Sequence, residues 1–158
     1  MRVIVVLQLA LASPASLAGH AHAQAVPAET HLSAARVVLQ PCTREGPTPA
    51  DSTWLPDSAS ATRLMRLLEP ALKLQAPDAA GKGPMALNGY IADVVGFFRH
   101  GRPWIYASFS DTAQRRHRAR GWVRWCDGGW SFFGVEYDKL ADSLGAVRAN
   151  AVVQVDVR

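Results

Sequence analysis

The strongest hydrophobic run of the chain lies at its beginning. A positively charged start precedes a mostly apolar run at residues 3–12, and small residues then lead to an Ala-His-Ala sequence at 21–23. These features in this order predict a secretory signal peptide cleaved between Ala23 and Gln24. The apolar run is about ten residues long, half of the ~20 that a membrane-spanning helix requires. We therefore expect the mature chain to be exported and released into the periplasm or the medium.

A helical period is found in one region. Leucines recur there every three or four residues, with basic residues between them, which is the pattern of an amphipathic helix. We expect this helix to begin near Ser58 or Ser60. Pro70 lies inside it and cannot donate a hydrogen bond to the preceding turn, so a kink or an end is predicted near Glu69. The leucines are Leu64, Leu67, Leu68 and Leu72.

The segments on either side of this helix show strand patterns. β-Branched residues are concentrated at 34–40, before Pro41, and predict a first strand. Apolar and aromatic residues at 90–99 and 103–110 flank a His-Gly-Arg sequence at 100–102. A His-Gly pair can supply the positive φ angles of a tight turn, so these two segments predict a β-hairpin.

A second hairpin is predicted from residues 122–126 and 131–137, which flank an Asp-Gly-Gly-Trp turn at 127–130. Alternate positions of its second strand are apolar, and this period of two predicts one buried face. Alternating valines within residues 144–157 predict a closing strand. The apolar positions of the hairpin strand are Phe133, Val135 and Tyr137.

One helix followed by at least four strands indicates an α+β domain, in which the helix packs across one face of a curved antiparallel sheet. We expect four to six strands in a cystatin-like or similar arrangement. Removal of the signal peptide at 1–23 leaves 135 of the 158 residues, which is enough for one packed core. We assign residues 24–32 to a disordered tail and residues 33–158 to a single domain.

The mature chain carries a mild positive charge. Arg2 is one of the 17 basic residues, so 16 remain against 13 acidic residues, a formal charge of +3. This excess indicates no particular partner. Export removes nucleic acid from the partners that we expect.

Cys42 and Cys126 are the two cysteines of the chain. Export places them in an oxidising compartment, where a pair of thiols closes, so we predict a disulfide between them. Closing a loop of roughly 85 residues contributes on the order of 4 kcal/mol to stability. A bonded pair leaves neither a thiol nucleophile nor a metal-binding pair, and no cysteine follows the cleavage site to carry a lipid. We therefore expect no stable membrane anchor.

Two sequence motifs lie within residues 90–138. The first joins Gly-Phe-Phe at 96–98 to Gly-Arg-Pro-Trp-Ile-Tyr at 101–106, and the second joins Cys-Asp-Gly-Gly at 126–129 to Ser-Phe-Phe-Gly-Val-Glu-Tyr-Asp at 131–138. In these motifs, which cover about a third of the chain, it resembles a family of small exported bacterial proteins and lipoproteins of unknown function. The resemblance implies export and this pair of hairpins, and it brings no catalytic residues. The chain departs from the lipoproteins because it lacks their anchoring cysteine.

The mature sequence lacks the common catalytic and metal-binding patterns. His31, His100 and His117 fall in the predicted tail, a turn and a basic loop, and none has the i, i+4 spacing of a zinc-binding helix. No G-x-S-x-G nucleophile elbow is present. We therefore predict no metal and no cofactor.

Carboxylates offer an alternative. Asp127, Glu136 and Asp138 lie on or beside the second hairpin, and carboxylates on neighbouring strands can act as an acid and base pair. Asp127 precedes two glycines, however, which is also typical of a turn. The rival to a binding protein is thus a small periplasmic hydrolase that uses Asp127 and Glu136.

Asp93 lies in the middle of an apolar strand pattern. A buried carboxylate requires a partner, and Arg99, Arg102 and Arg124 are the candidates. We expect a structural ion pair.

The sharpest surface signal is a basic run at residues 115–120, in which five of six side chains are cationic or can become so. Such a local positive field attracts polyanions. For an exported protein these are lipopolysaccharide phosphates, anionic lipids, acidic polysaccharides or an acidic partner protein. The alternative is a solvated loop between strands. The candidate binding residues are Arg115, Arg116, Arg118 and Arg120.

Four tryptophans cluster in the predicted hairpins, and exposed aromatic patches often mark binding sites. Core packing is the alternative for at least two of them. Trp130, which follows the two glycines of the second turn, is the one that we expect to be exposed. The other three are Trp104, Trp122 and Trp125.

Together these patterns favour a non-enzymatic exported domain that binds a partner protein or an anionic component of the cell envelope. They leave open which partner is bound and which oligomeric state the protein adopts.

Overall fold

The computed structural model describes residues 26–47, 50–118 and 126–151. The predicted signal peptide and its cleavage site lie outside these residues. The described part has one long helix, packed against a mixed sheet of seven strands that does not close into a barrel. The strands are β1 (Glu29–Ser33), β2 (Thr53–Trp54), β3 (Tyr90–Arg99), β4 (Arg102–Asp111), β5 (Phe132–Asp138), β6 (Ser143–Leu144) and β7 (Arg148–Ala149); the helices are α1 (Ser58–Lys73) and the short α2 (Arg115–Arg118).

Three long strands form the centre of the sheet, in the antiparallel order β3, β4, β5. On one side, β1 pairs in parallel with the first half of β3, and β2 pairs antiparallel with the second half. On the other side, the short strands β6 and β7 both pair with β5. The α+β class and the single main helix are therefore confirmed, whereas the parallel pairing of β1 makes the sheet mixed rather than antiparallel, and its seven strands exceed the four to six that the sequence predicts.

The first hairpin forms as predicted. β3 and β4 are paired over their full lengths, with Arg99 opposite Arg102. The turn residues His100 and Gly101 have φ angles of 52° and 72°. Both lie in the left-handed region that a two-residue hairpin turn needs.

Helix α1 begins at Ser58, as its pattern predicts. The carboxylate of Asp57 caps the helix by accepting from the Ser60 N–H (2.6 Å) and from the Ser60 hydroxyl (2.9 Å). The helix continues through Pro70 to Lys73, so the end predicted near Glu69 is wrong. The buried Leu72 extends the apolar stripe into the last turn, and its packing offsets the hydrogen bond that proline removes.

The main core lies between α1 and one face of the sheet. Leucines of α1 pack on alternate residues of the central strands, and the aromatic rings among these residues lie against one another. Phe109 and Phe133 are stacked with centroids 4.3 Å apart, and Tyr90 meets Phe133 edge-on at 4.9 Å. Phe133, Val135 and Tyr137 all belong to this core, which confirms the predicted buried face of β5.

The opposite face of the sheet is covered by the chain between β1 and α1. A 3₁₀ helix at Arg36–Leu39 places Val38 and Leu39 against a smaller apolar cluster on β3 and β4. The strand predicted at 34–40 is therefore wrong. Val38 and Leu39 cover this second face from a turn of helix, whereas Val37 is 40% exposed.

Residues 29–33 form a strand, although the sequence predicts a disordered tail at 24–32. The segment is short and polar, and it gains order from its pairing with β3, where Glu29 lies opposite Ile91 and Ser33 opposite Val95. This pairing joins residues about 60 apart in the chain. A local sequence pattern carries no information about such a contact.

The predicted disulfide between Cys42 and Cys126 is present. It is supported by Thr43, whose hydroxyl donates to the Cys126 carbonyl and accepts from the Ala151 N–H. The disulfide thus joins the loop that covers the second face of the sheet to the segment that enters β5.

The second hairpin is described in part. Its second strand is β5, as predicted, whereas the predicted first strand at 122–126 lies outside the described residues except for Cys126. The predicted closing region contains the short strands β6 and β7, and residues 152–157 again lie outside. None of the helices in the described part is long and apolar enough to cross a membrane.

Candidate functional site

The structure places the two carboxylates of the hydrolase alternative at opposite ends of β5. Asp127 is exposed, precedes β5 in the chain and forms an isolated parallel β-bridge with Ala151. Glu136 lies four residues into β5, about 13 Å along the strand from its first residue. A glycosidase-type pair requires carboxyl groups within about 5 to 9.5 Å. Glu136 is also engaged by Arg99 in a two-pronged ion pair with distances of 2.8 and 2.9 Å.

Asp93 is buried on the second face of the sheet, with 6% of its surface exposed. Two of its candidate partners bind elsewhere, because Arg99 pairs with Glu136 and Arg102 pairs with Asp138. Arg124 lies outside the described residues.

The pairing of β1 with β3 brings His31 beside Asp93, and Ser108 of β4 lies on the other side of Asp93. This row is not arranged as a catalytic triad, because the histidine does not lie between the carboxylate and the hydroxyl. His31 instead contacts Glu29 at 3.3 Å, and Ser108 accepts a hydrogen bond from Arg44. The sequence gives no sign of this row, because His31 lies in the segment whose pattern predicts a tail.

The basic run is described at its beginning only. Arg115 binds Glu29 of β1 (Nε to Oε1, 2.6 Å), which places the start of the run beside the start of β1. Arg116 is exposed. Arg118 ends α2 and its side chain is not described, and Arg120 lies outside the described residues.

Trp130 is buried, with 7% of its surface exposed, so its predicted exposure is wrong. Its indole N–H donates to the Ala76 carbonyl (3.0 Å), and its own carbonyl accepts from the Tyr90 hydroxyl (2.9 Å). The ring therefore belongs to the core below α1. Trp104 is half-buried beneath the Arg99 guanidinium, 4.9 Å from the ring centroid; Trp122 and Trp125 lie outside the described residues.

The outer edge of β1 is not paired with any described strand. On this side of β3, Phe98 accepts from the Asp51 N–H and donates to the Ser52 carbonyl, so the even-numbered residues of β3 direct their main chain toward β1 and β2. Residue 29 lies opposite residue 91, and the odd-numbered residues of β1 therefore bond to β3. The N–H and C=O groups of Thr30 and Leu32 point outward, where a further strand would lie.

An apolar groove of about 390 Å³ lies between β1 and the first turns of α1. Thr30 and Leu32 turn their side chains into it from the strand. Val26 and Leu32 are 59% and 36% exposed there, so apolar surface faces solvent along this strand. The floor is formed by Ala61 and Met65 of α1.

The groove has a positive margin. Arg66 lines it and forms no ion pair with any described residue. Arg115 and Arg116 lie near the beginning of β1, where Arg115 is held by Glu29. The apolar groove and the open edge of β1 thus lie together with the exposed guanidinium group of Arg66, and the paired Arg115 and the exposed Arg116 follow at the beginning of the strand.

A second concavity, of about 240 Å³, lies on the opposite face of the sheet. Its base is Gly134, and its walls carry two ion pairs, Arg99 with Glu136 and Arg148 with Glu45. Arg44 packs over Gly134 on this face, and its Nε would lie 2.9 Å from a Cβ at that position. We call this concavity the polar cleft.

Arg44 binds three neutral side chains: its Nε donates to the Tyr106 hydroxyl (3.0 Å), one Nη to Ser108 (2.8 Å) and the other to Asn150. This network cannot be recognised in the sequence, because its members are far apart in the chain. A lone arginine two residues beyond Cys42 gives no signal until the disulfide fixes the loop that carries it.

In the described part of the chain, no group of three or more potential metal ligands lies close enough to hold an ion. Comparisons of the chain with protein-family models, curated proteins and solved structures found no match. The cystatin-like arrangement and the family resemblance therefore stay predictions.

Proposed function

We propose that this protein is an exported, non-enzymatic binding domain that holds an extended, acidic segment of a partner protein against β1. The observation that carries the proposal is the open edge of β1 directly beside an apolar groove. An added strand would bond to the outward N–H and C=O groups of Thr30 and Leu32, and alternate side chains would enter the groove.

The charges around the groove favour an acidic segment. Arg66 forms no ion pair with the described residues, and Arg116 is exposed near the start of β1. A carboxylate of the partner would meet these guanidinium groups, which bind carboxylates in a forked geometry. The predicted signal peptide supports export of the protein, and the disulfide is typical of the oxidising compartment to which export would bring it.

Main-chain bonding distinguishes this proposal from the binding of an envelope polyanion. A polysaccharide or a lipid phosphate would use the guanidinium groups without the strand edge. The groove and the edge favour a polypeptide, and polyanion binding becomes an outcome of the test.

The experiment is a selection of short random linear peptides displayed on phage against the oxidised mature protein. We expect enriched peptides with alternating apolar residues and at least one Asp or Glu. Their affinities are then measured by fluorescence anisotropy for the wild type, Thr30→Pro and the matched control Thr30→Ala. Proline removes the outward donor of residue 30 and is tolerated on an edge strand, so T30P weakens binding about tenfold or more whereas T30A stays near the wild type.

A charge reversal gives a second, independent readout. R66E weakens binding of the acidic peptides, whereas K82E, on an exposed loop beyond α1, leaves it unchanged. Failure to enrich any peptide, or equal binding by folded T30P and T30A, contradicts the proposal. Binding of dextran sulfate that T30P does not affect, with no peptide enriched, would show a polyanion-binding protein instead.

A further inference from the structure

A segment of alternating valines follows Ala151, the last residue that the structure describes. Valines at positions 153, 155 and 157 alternate with a glutamine and an aspartate. This period of two in β-branched residues is typical of a strand with one apolar face. The segment has the composition that the proposed function expects of a bound strand, because its apolar residues alternate with polar ones and one of these is acidic.

The open edge of β1 and the apolar groove beside it have the same period. The outward N–H and C=O groups belong to Thr30 and Leu32, and the side chains of these two residues face the groove. Residues that lie directly opposite each other on paired strands direct their side chains to the same face. Two valines of the segment, placed opposite Thr30 and Leu32, would therefore enter the groove and contact Met65.

The acidic residue of the segment would lie on the other face of the added strand. Asp156 alternates with the valines, so its side chain turns away from the groove. On that face, the Glu29 carboxylate is held by Arg115, and Asp93 is buried in β3 with an interaction of its own. Arg116 is exposed and forms no ion pair with a described residue, so its guanidinium group is available to the Asp156 carboxylate.

The segment cannot reach the open edge of β1 in its own molecule. Ala151 accepts a hydrogen bond from Gly129, at the segment that enters β5. Because β4, β3 and β1 lie between, a strand added to β1 would be four strand spacings from β5, about 19 Å. Val155 is four residues beyond Ala151 and reaches about 14 Å at most, even when the chain is fully extended. The edge is therefore open to this segment from another copy.

We propose that residues 153–157 of one copy of this chain add as a strand to β1 of a second copy. This inference rests on the proposed function, because it uses the same edge and groove and names the segment that they bind. The two surfaces of the contact differ, so the association is head-to-tail and each copy both receives and donates a segment. Such a contact continues into a ring or a filament rather than stopping at a dimer.

The test is sedimentation velocity of the oxidised mature protein at rising concentration, compared with three variants. One variant lacks residues 152–158, the second is Thr30→Pro, and the third is the matched control Thr30→Ala. We expect the wild type and T30A to associate as the concentration rises. The truncated protein stays monomeric because it lacks the segment. T30P lacks an outward donor, so its association shifts to a concentration about tenfold higher or more.

Mixing the truncated protein with T30P tests the direction of the contact. The truncated protein keeps an open edge and T30P keeps the segment, so together they form a complex of one copy each that grows no further. A contact between two β1 edges would behave differently, since truncation would not abolish it and mixing would not restore it. Either of these two results overturns the inference, as does a wild type that stays monomeric up to millimolar concentration.

A labelled peptide of residues 151–158 separates this inference from the proposed function. Fluorescence anisotropy measures its binding to the truncated protein. We expect saturable binding that Val155→Ser in the peptide weakens about tenfold and Gln154→Ser leaves unchanged, because the valine enters the groove and the glutamine does not. Equal effects of the two substitutions would overturn the inference.

The peptides selected by phage display serve as the reference in the same assay. If they bind the truncated protein and the peptide of residues 151–158 does not, the inference fails and the proposed function stands. If neither kind of peptide binds, both fail.

Discussion

At the scale of single residues, the second face of the sheet depends on a close approach between a glycine and a hydrogen-bonded pair. Gly134 lies opposite Ser108 in β4, and Tyr106 and Arg44 occupy the space that its side chain would need. The sequence shows Gly134 within an alternating strand but gives no sign of what approaches it. Such contacts become visible only when the loop that carries Arg44 is in place.

The first prediction concerns this contact. Gly134→Ala displaces Tyr106 and Arg44 and lowers the free energy of unfolding by about 1 to 3 kcal/mol, the usual effect of overpacking. Urea denaturation followed by circular dichroism measures it. Gly145→Ala is the matched control, because its Cβ would lie 3.5 Å from the nearest atom, and a change within about 0.5 kcal/mol is expected. Equal effects of the two substitutions would contradict the contact.

A second prediction concerns Asp57, the cap of α1. Hydrogen bonds from the Ser60 N–H, the Ser60 hydroxyl and Lys139 lower the pKa of Asp57 from 3.8 to about 2. A lowered pKa in the folded state adds stability that is complete above pH 3.8 and is lost as the pH falls toward 2. Asp57→Asn keeps the capping oxygen but cannot titrate.

The urea midpoint of the wild type therefore lies above that of Asp57→Asn at pH 7 and falls more steeply between pH 4 and pH 2, so that the difference between the two narrows as Asp57 is protonated. Asp57→Ala lowers the midpoint at both pH values because it removes the cap itself. Parallel pH profiles for the wild type and Asp57→Asn would show that the carboxylate does not carry this dependence. Asp142, whose pKa is also lowered to about 2 by Arg63, retains its own share in every variant.

At the scale of secondary-structure elements, the sequence predicts what depends on local contacts. The β3–β4 hairpin follows from two alternating runs and a turn with positive φ angles, and α1 follows from its leucine period. β1 could not be predicted in this way, because its order comes from pairing with a strand far along the chain. The segment at 34–40 differs in another way. Its apolar residues correctly predict burial, but they predict a strand where the chain forms a 3₁₀ helix.

Pro70 gives a prediction at this scale. It lies in the last turns of α1, where its ring nitrogen leaves the Arg66 carbonyl without a helical hydrogen bond. Pro70→Ala restores that bond and raises the free energy of unfolding by roughly 1 to 3 kcal/mol. Urea denaturation checks this, and an unchanged or lower stability would show that the last turn is not held as α-helix.

At the scale of the whole molecule, the disulfide links the loop that covers the second face of the sheet to the segment that enters β5. It closes a loop of 84 residues that contains α1, β2, β3 and β4. The pairing followed from the count of two cysteines and the predicted export. The position of Arg44 could not be predicted in the same way, because nothing in the sequence indicates that the loop held by the disulfide brings this arginine to β4 and β5.

Removal of the disulfide is the prediction at this scale. The double variant Cys42→Ala, Cys126→Ala loses on the order of 4 kcal/mol of stability because the unfolded chain regains its freedom. Urea denaturation of the variant against the oxidised wild type measures this loss. A difference in the free energy of unfolding below about 1 kcal/mol would contradict a stabilising role for the disulfide.

The candidate site was predictable only in its charge. The basic run indicated a positive surface, and the structure brings the start of that run to β1 through Arg115 and Glu29. The groove itself joins the segment around Leu32 to Met65 of α1, and neither segment indicates the other. A site formed where distant elements meet cannot be predicted from either element alone.

Hydrogen exchange at β1 tests the central claim most directly. The amide protons of Thr30 and Leu32 face outward in the free protein, so we predict that they exchange rapidly with deuterium, in contrast to those of residues 31 and 33. Binding of a selected acidic peptide slows exchange at Thr30 and Leu32 by about tenfold or more, because a strand added at this edge bonds to them. Unchanged exchange at both amides in the saturated complex would contradict the proposal that β1 receives its partner as an added strand.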